Sequence, residues 1–240
     1  MEKTKKIKII LGLSYLILIT IFLFFFFSKF SLQEITSYDF IKENRAYFLG
    51  LKDANLFLLF SIYLLISILW IFPFLGFGLP IALLAGFIFG KWIGTVVIVL
   101  SLSIGGTFLY VFGNYFLKDL IKEKVLLKFQ NLEKKFKDSE FTYLLIYRFL
   151  GGIPWQLSCL LPTFFNVKVS NFFLATLIGI IPQVFLVVSI GSGLEKVIDQ
   201  NSDIPEILDI IILPDVYIPI ISFFILVLLT IFLRRLFYKN

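Results

Sequence analysis

The chain has 240 residues, 59% apolar and 16% charged, where a soluble domain averages roughly 45–50% and about 25%, so an ordinary cytosolic globule is excluded. No His is present and Cys159 is the only cysteine, which removes the commonest general base and imidazole ligand, an internal disulfide and a CxxC metal site. The net charge of +6 lies mostly beside apolar segments, so anionic lipid headgroups are the expected partner and nucleic acid is not.

Lys3, Lys5, Lys6 and Lys8 precede an apolar run from Ile9 to Phe27. That core exceeds the about 7–15 residues of a secretory signal, and Ser28-Lys29-Phe30 offers no small-residue cleavage site, so 1–30 reads as a retained anchor helix with its amino terminus inside. Residues 31–55 mix Lys42, Arg45 and Lys52 with Glu34, Asp39, Glu43 and Asp53 and read as an interfacial segment. From Leu56 to Phe116 the only charge is Lys91, which stands beside Trp92 like an interfacial anchor. This stretch breaks at Pro73, Gly76, Gly78 and Pro80, and again at Gly86, Gly90 and Gly94. Residues 92–116 are long enough to cross a membrane; 56–90 are interrupted.

Apolar positions at Leu117, Leu120, Ile121, Val125, Phe129, Leu132 and Phe136 give 117–140 the spacing of an amphipathic surface helix. A second interrupted segment, 141–165, contains Arg148, Gly151, Gly152, Pro154 and Pro162. Phe172–Ile190 reads as a span broken at Gly179 and Pro182, 191–215 as an acidic loop, and about 216–233 as the last span before Arg234, Arg235 and Lys239. Lys/Arg bias puts both termini, 117–140 and the loop near Lys168 inside, and the base-poor 191–215 outside. These assignments agree only if 56–90 and 141–165 each enter, break and return. The expected fold is an all-α polytopic membrane protein with four full spans and two opposed re-entrant helical hairpins in an inverted repeat. Six complete spans is the alternative. F-L-G-F-G-L-P at 74–80 and F-L-G-G-I-P at 149–154 support the repeat. The domain reading is 1–30 anchor, 31–55 interfacial, 56–193 membrane domain, and 194–240 acidic loop with the final helix.

Broken backbone at membrane depth is tolerated only in a protein interior or a wet cavity, so opposed hairpins imply a polar path between them. Arg148 follows a run of uncharged residues and directly precedes the Gly/Pro break. An intramembrane guanidinium marks a pathway or a partner and fits phosphate bidentately; the competing reading is that it bonds backbone or snorkels. The candidate lipid-phosphate residues are Arg148, Gly151, Gly152, Pro154, Gln156 and Asn171, and Ser158 and Asn166 add hydrogen-bonding groups nearby. Pro73, Gly78, Pro80, Gly86, Gly90, Gly94, Gly106, Asn114, Gly179 and Pro182 are expected to shape hairpins and helix packing. No carboxylate lies between Ala54 and Lys118 or between Phe141 and Leu194, so a dedicated proton relay has little support. Gly191-Ser192-Gly193 is not a nucleophile elbow, and the chain reads as a non-enzyme without cofactor or metal.

Four blocks of sequence resemble the VTT-domain family, also called the SNARE-associated Golgi protein family, with its bacterial DedA relatives. They are L-P-I-A-L-L-A-G-F-I-F-G-K-W-I-G at 79–94, G-G-T-F-L-Y-V-F-G-N-Y at 105–115, R-F-L-G-G-I-P-W at 148–155 and N-F-F-L-A-T-L-I-G-I-I-P at 171–182. Gly151 replaces the first signature proline, Trp155 the phenylalanine, and Gln156 a usual Asn or Asp. Asn114 stands where many members have Arg, and Lys118 matches a second basic position. The acids implicated in proton coupling in some relatives have no counterpart within the apolar spans. The resemblance implies opposed re-entrant hairpins and lipid movement between leaflets, by phospholipid scrambling or recycling of phosphorylated lipid carriers. A bacterial inner membrane with cytoplasmic termini is expected, and a homo-oligomer is compatible with it. The alternatives are a proton-coupled carrier using Glu43, Asp53 or Glu140, and a membrane-organising protein acting through 117–140.

Overall fold

The computed structural model describes residues 42–72, 78–116, 139–200 and 207–237, with isolated helical positions between 14 and 28. The expectations for the anchor helix, for Pro73 and Gly76, and for most of 117–140 fall outside them. Among the described residues all regular structure is helical. By length and hydropathy alone two helices can cross a membrane, or three if one bent pair counts as a single span.

That bent pair is α1 (Arg45–Ala54) and α2 (Leu56–Ile71), turned by 116° at Asn55. Asn55 is extended, and its Oδ1 accepts the Leu58 amide at 2.9 Å, a side-chain cap that starts α2 as a separate helix. Helix α3 (Gly78–Phe116) turns at Gly90, where φ is 75° and ψ 175°, a conformation essentially reserved for glycine. Its two arms fold back on each other: a Cβ on Gly94 would lie 2.8 Å from the Ala85 oxygen, and one on Gly78 3.2 Å from Leu102 Cδ2. Phe60 and Tyr63 of α2 meet Phe89 edge-on at 6.4 and 5.3 Å, while Ile71 at the other end touches Gly105. The chain therefore runs along α2, returns along 78–89 and advances again along 91–116. The last arm is about 39 Å long, more than the about 30 Å of bilayer hydrocarbon, whereas α2 is about 24 Å and 78–89 about 18 Å.

The chain also reverses direction between residues 140 and 200. Helix α4 (Glu140–Leu150) ends at Gly151 and Gly152, with φ of 63° and 80°. Helix α5 (Trp155–Leu160) and a 3₁₀ turn (Leu161–Phe165) run back to left-handed Asn166, and α6 (Val169–Gly179) and α7 (Ile181–Gln200) run forward again. Asn171 donates to Glu140 at the start of α4, and Gly179 lies against Arg148 near its end, so α4 and α6 are parallel neighbours. Tyr110 stacks on Phe172 at 4.5 Å and Trp92 meets Phe185 at 5.1 Å. The second arm of α3 is thus antiparallel to α6–α7. A glycine in each half receives the preceding helix in the same way: Gly105 meets Ile71 and Ile68, and Gly179 meets Arg148 and Leu145.

Helix α8 (Ile207–Ile211) and helix α9 (Pro214–Phe237) complete the chain, α9 lying on α7 through Val216 against Gly193 and reaching α4 through Phe223 near Phe149. Three sequence boundaries need correction. Residues 191–200 are helical, not loop, because Gly191 and Gly193 are packed against Leu83 and Val216 and the acid Glu195 is ion-paired with Arg45 at 2.7 Å. Helix formation before the penultimate span begins at Val169, and the last helix begins at Pro214. Lys91, read as an interfacial anchor, pairs with Asp215, which also receives Lys196.

Polarity is distributed inside out. Phe57, Leu65, Leu69, Trp92, Phe224 and Leu228 are exposed, while Ser67, Ser101, Ser103, Thr176 and Arg148 are buried, an arrangement suited to an apolar surround. Charges gather at the ends. Arg45, Lys91, Glu195, Lys196 and Asp215 mark the Gly90 end, and Glu140 and Lys168 the other.

Candidate functional site

Arg148 occupies the last turn of α4 and is 4% exposed. Its Nε donates to Thr176 Oγ1 at 3.1 Å, Nη1 to Ser158 Oγ at 2.5 Å, and Nη2 to Cys159 Sγ at 3.5 Å. The guanidinium carbon lies 4.7 Å from the Trp155 ring centre, 5.0 Å from Phe172 and 5.8 Å from Tyr147. None of the ion pairs among the described residues includes it. A guanidinium carries five N–H donors, so these contacts leave two. The aromatic faces supply part of the stabilisation that a carboxylate would otherwise give.

Broken backbone brings these groups together. Continuing α4 would put its carbonyls into ordinary helix hydrogen bonds; the positive φ at Gly151 and Gly152 prevents that, and the last carbonyls need other donors. Gln183 of α7 supplies them: its Nε2 donates to the oxygens of Arg148 and Phe149, both at 2.9 Å. A Cβ on Gly151 would sit 2.5 Å from that nitrogen. Gly179 lets α6 approach so closely that an added Cβ would lie 2.6 Å from Arg148 Cβ, which puts Thr176, one turn earlier, beside the guanidinium. Gly106 of α3 leaves room for the Trp155 ring and for Cys159, 3.0 and 3.3 Å from a Cβ there. Among the described residues, two buried polar atoms on rings beside the guanidinium have no hydrogen-bond partner, Tyr147 Oη and Trp155 Nε1.

The sequence candidates divide. Arg148, Gly151, Gly179 and Gly106 come together, and Gly152 and Pro154 form the exposed break above Arg148. Asn171 is elsewhere: with the Lys168 amide it binds Glu140, at the start of α4. Gln156 is half-buried on α5 beside the break. Gly78, Gly86, Gly90 and Gly94 serve the first half, with Pro80 in the first turn of α3 and Pro182 in that of α7, where no helical amide is lost. The sequence reading passed over Thr176 and Gln183. The spacing 176, 179, 183 would have indicated them, since it places both on the face that Gly179 opens towards α4. Among the described residues no group of three His, Cys, Asp or Glu is arranged to hold a metal ion.

A family model described as the VTT domain matches residues 72–193. The chain is 28% identical over 151 residues to the Transmembrane protein 41 homolog of Dictyostelium discoideum, covering 59% of this chain and 44% of that one. It is also 28% identical over 153 residues to the uncharacterized protein YqeD of Bacillus subtilis, covering 63% and 73%. The chain thus spans less than half the length of the Dictyostelium relative. No solved structure matches it significantly. The helix–break–helix halves, the apolar exterior and a domain match over about half the chain agree: this membrane protein belongs to the VTT-domain family.

Proposed function

We propose that the protein moves lipids carrying a phosphate between the leaflets, with α2 and 78–89 forming one re-entrant hairpin and α4 and 155–165 the other. The hairpins open towards opposite faces, the first towards the Lys91–Asp215 end and the second towards the Glu140 end. Arms of about 16–24 Å support this reading, since each reaches near the middle of the bilayer and none needs to cross it. The observation that carries it is a buried Arg148 with no acidic partner among the described residues, two N–H donors to spare and an exposed broken-helix tip beside it. A phosphate entering at the tip would meet a fixed cation while its acyl chains remain in the membrane. The process is passive and non-enzymatic in this reading, and the location is a bacterial inner membrane with cytoplasmic termini, as the Lys/Arg distribution favours.

The test is reduction by dithionite of a fluorescent phospholipid in proteoliposomes containing the purified protein. The reading expects bleaching beyond the outer-leaflet fraction, unaffected by a pH gradient and strongly slowed by Arg148→Ala at equal folded protein. Bleaching confined to the outer leaflet contradicts it for general phospholipids. Dependence on a proton gradient replaces passive movement with a coupled carrier.

A further inference from the structure

We infer that Gln183 is a positioning residue for the Arg148 site: its amide fixes the broken end of α4, and with it the depth and direction of the guanidinium. The inference rests on the lipid-phosphate reading for its activity and on geometry alone for its placement. Where the chain leaves helical conformation at Gly151, the Arg148 and Phe149 carbonyls have no following helical amides to bond, and an apolar surround offers an unmatched carbonyl no water in their place. A single side chain from a different helix answers both, with Nε2 2.9 Å from each oxygen. Both neighbours are acceptors, so chemistry assigns the amide's NH₂ group, not its carbonyl, to this position.

Gln183 thus joins the tip of the second hairpin to the long helix α7, while Thr176, on the other side of Gly179, holds the Nε of the same arginine. The main chain of Arg148 is fixed from position 183 and its side chain from position 176. Losing the first lets the tip swing about Gly151 and Gly152, and the guanidinium moves with it. In the first half Ile71 takes the place against Gly105 that Arg148 takes against Gly179.

The test uses full-length protein in proteoliposomes, the fluorescent phospholipid above, and the intrinsic emission of Trp155 in a Trp70→Phe, Trp92→Phe background. Trp155 lies under the guanidinium and reports its position. Gln183→Met keeps the side-chain length and removes the donors. We expect translocation to fall about tenfold or more, and the Trp155 emission to shift in the same direction as in Arg148→Ala. Gln183→Glu adds a pH readout. Its protonated carboxyl can donate to one carbonyl and its ionised form to none, so translocation by this variant should be retained at low pH and lost reversibly as pH rises, with the parent protein flat. Native emission and translocation in Gln183→Met, while Arg148→Ala loses both, overturns the inference. So does a pH-independent Gln183→Glu. If Arg148→Ala translocates normally, the lipid-phosphate reading fails by itself, and the emission of Gln183→Met still decides whether Gln183 sets the place of Arg148. If Gln183→Met does not fold, the pH profile of Gln183→Glu decides.

Discussion

Gly86 and Gly191 mark the crossing of the first arm of α3 over α7, and each faces the main chain of the other helix. A methyl group on Gly86 would fall on the Val188 carbonyl oxygen and lie 2.9 Å from Ser192 N; one on Gly191 would fall on the Leu83 oxygen, with Leu83 Cα at 3.0 Å. Helical main chain cannot step aside as a side chain can, so the helices must part by at least about 0.5 Å, a gap that forfeits a quarter or more of each contact's attraction. Gly86→Ala is therefore expected to cost about 3 kcal/mol, the upper part of the range for overpacking. Gly191→Ala should cost about the same. The second methyl enters a gap that the first has opened, so the double variant should cost clearly less than the sum. Gly50→Ala is the control: it is helical, exposed and free of neighbours within 4 Å, and should gain about 0.5–1 kcal/mol. Thermal unfolding in detergent, followed by circular dichroism with monodispersity checked at each step, measures all four. A Gly86→Ala protein that melts with the parent, or single costs that simply add, would refute the crossing.

Further outcomes are expected at three positions. Gly90→Ala should destabilise by about 1–3 kcal/mol in the same melt through conformation alone, because no atom lies within 4 Å of the added Cβ, and Gly90→Asn should not rescue it, since ψ of 175° is far from the left-handed helical region. Thr176→Val removes the acceptor of Arg148 Nε and should cost about 1.5–3 kcal/mol, with a change in the near-ultraviolet dichroism of Trp155. Hydrogen bonds from Lys196 and then Lys91 hold the Asp215 carboxyl below its ordinary range. A depressed folded pKa means that this stability is complete above the unfolded value near about 4 and is lost as pH falls through the folded one. Melting temperature should fall with acid in that window, and Asp215→Asn should be lower at neutral pH with a flatter acid limb.

The breaks were legible in the sequence because glycine and proline state backbone geometry directly. Gly90, Gly151 and Gly152 carry positive φ, and Gly179 does interrupt the helices around Ile180. Arg148 stood out because a cation in an apolar run has few reasons to be there. What the sequence concealed depends on partners far along the chain. Gln183 and Thr176 look like ordinary polar residues in a span until Gly179 is seen against α4. Asn171 was grouped with the site by proximity in sequence, whereas the fold assigns it to Glu140. Residues 191–200 carry acids and two glycines and read as a loop; only the partners Arg45, Leu83 and Val216 reveal that both features serve helix packing. The partner of Lys91, Asp215, was hidden for the same reason, lying far away in sequence.

The most direct test of the account is where a lipid headgroup touches the protein. A phospholipid with a photoactivatable group on its headgroup, irradiated in proteoliposomes and mapped by mass spectrometry, should label the broken tip and its return arm, Gly152–Ser158. That label should disappear in Arg148→Ala while labelling of the exposed face of α2 persists. Labelling confined to lipid-facing positions such as Phe57, Leu65 and Leu69, and unchanged by Arg148→Ala, would contradict a headgroup path at the second hairpin.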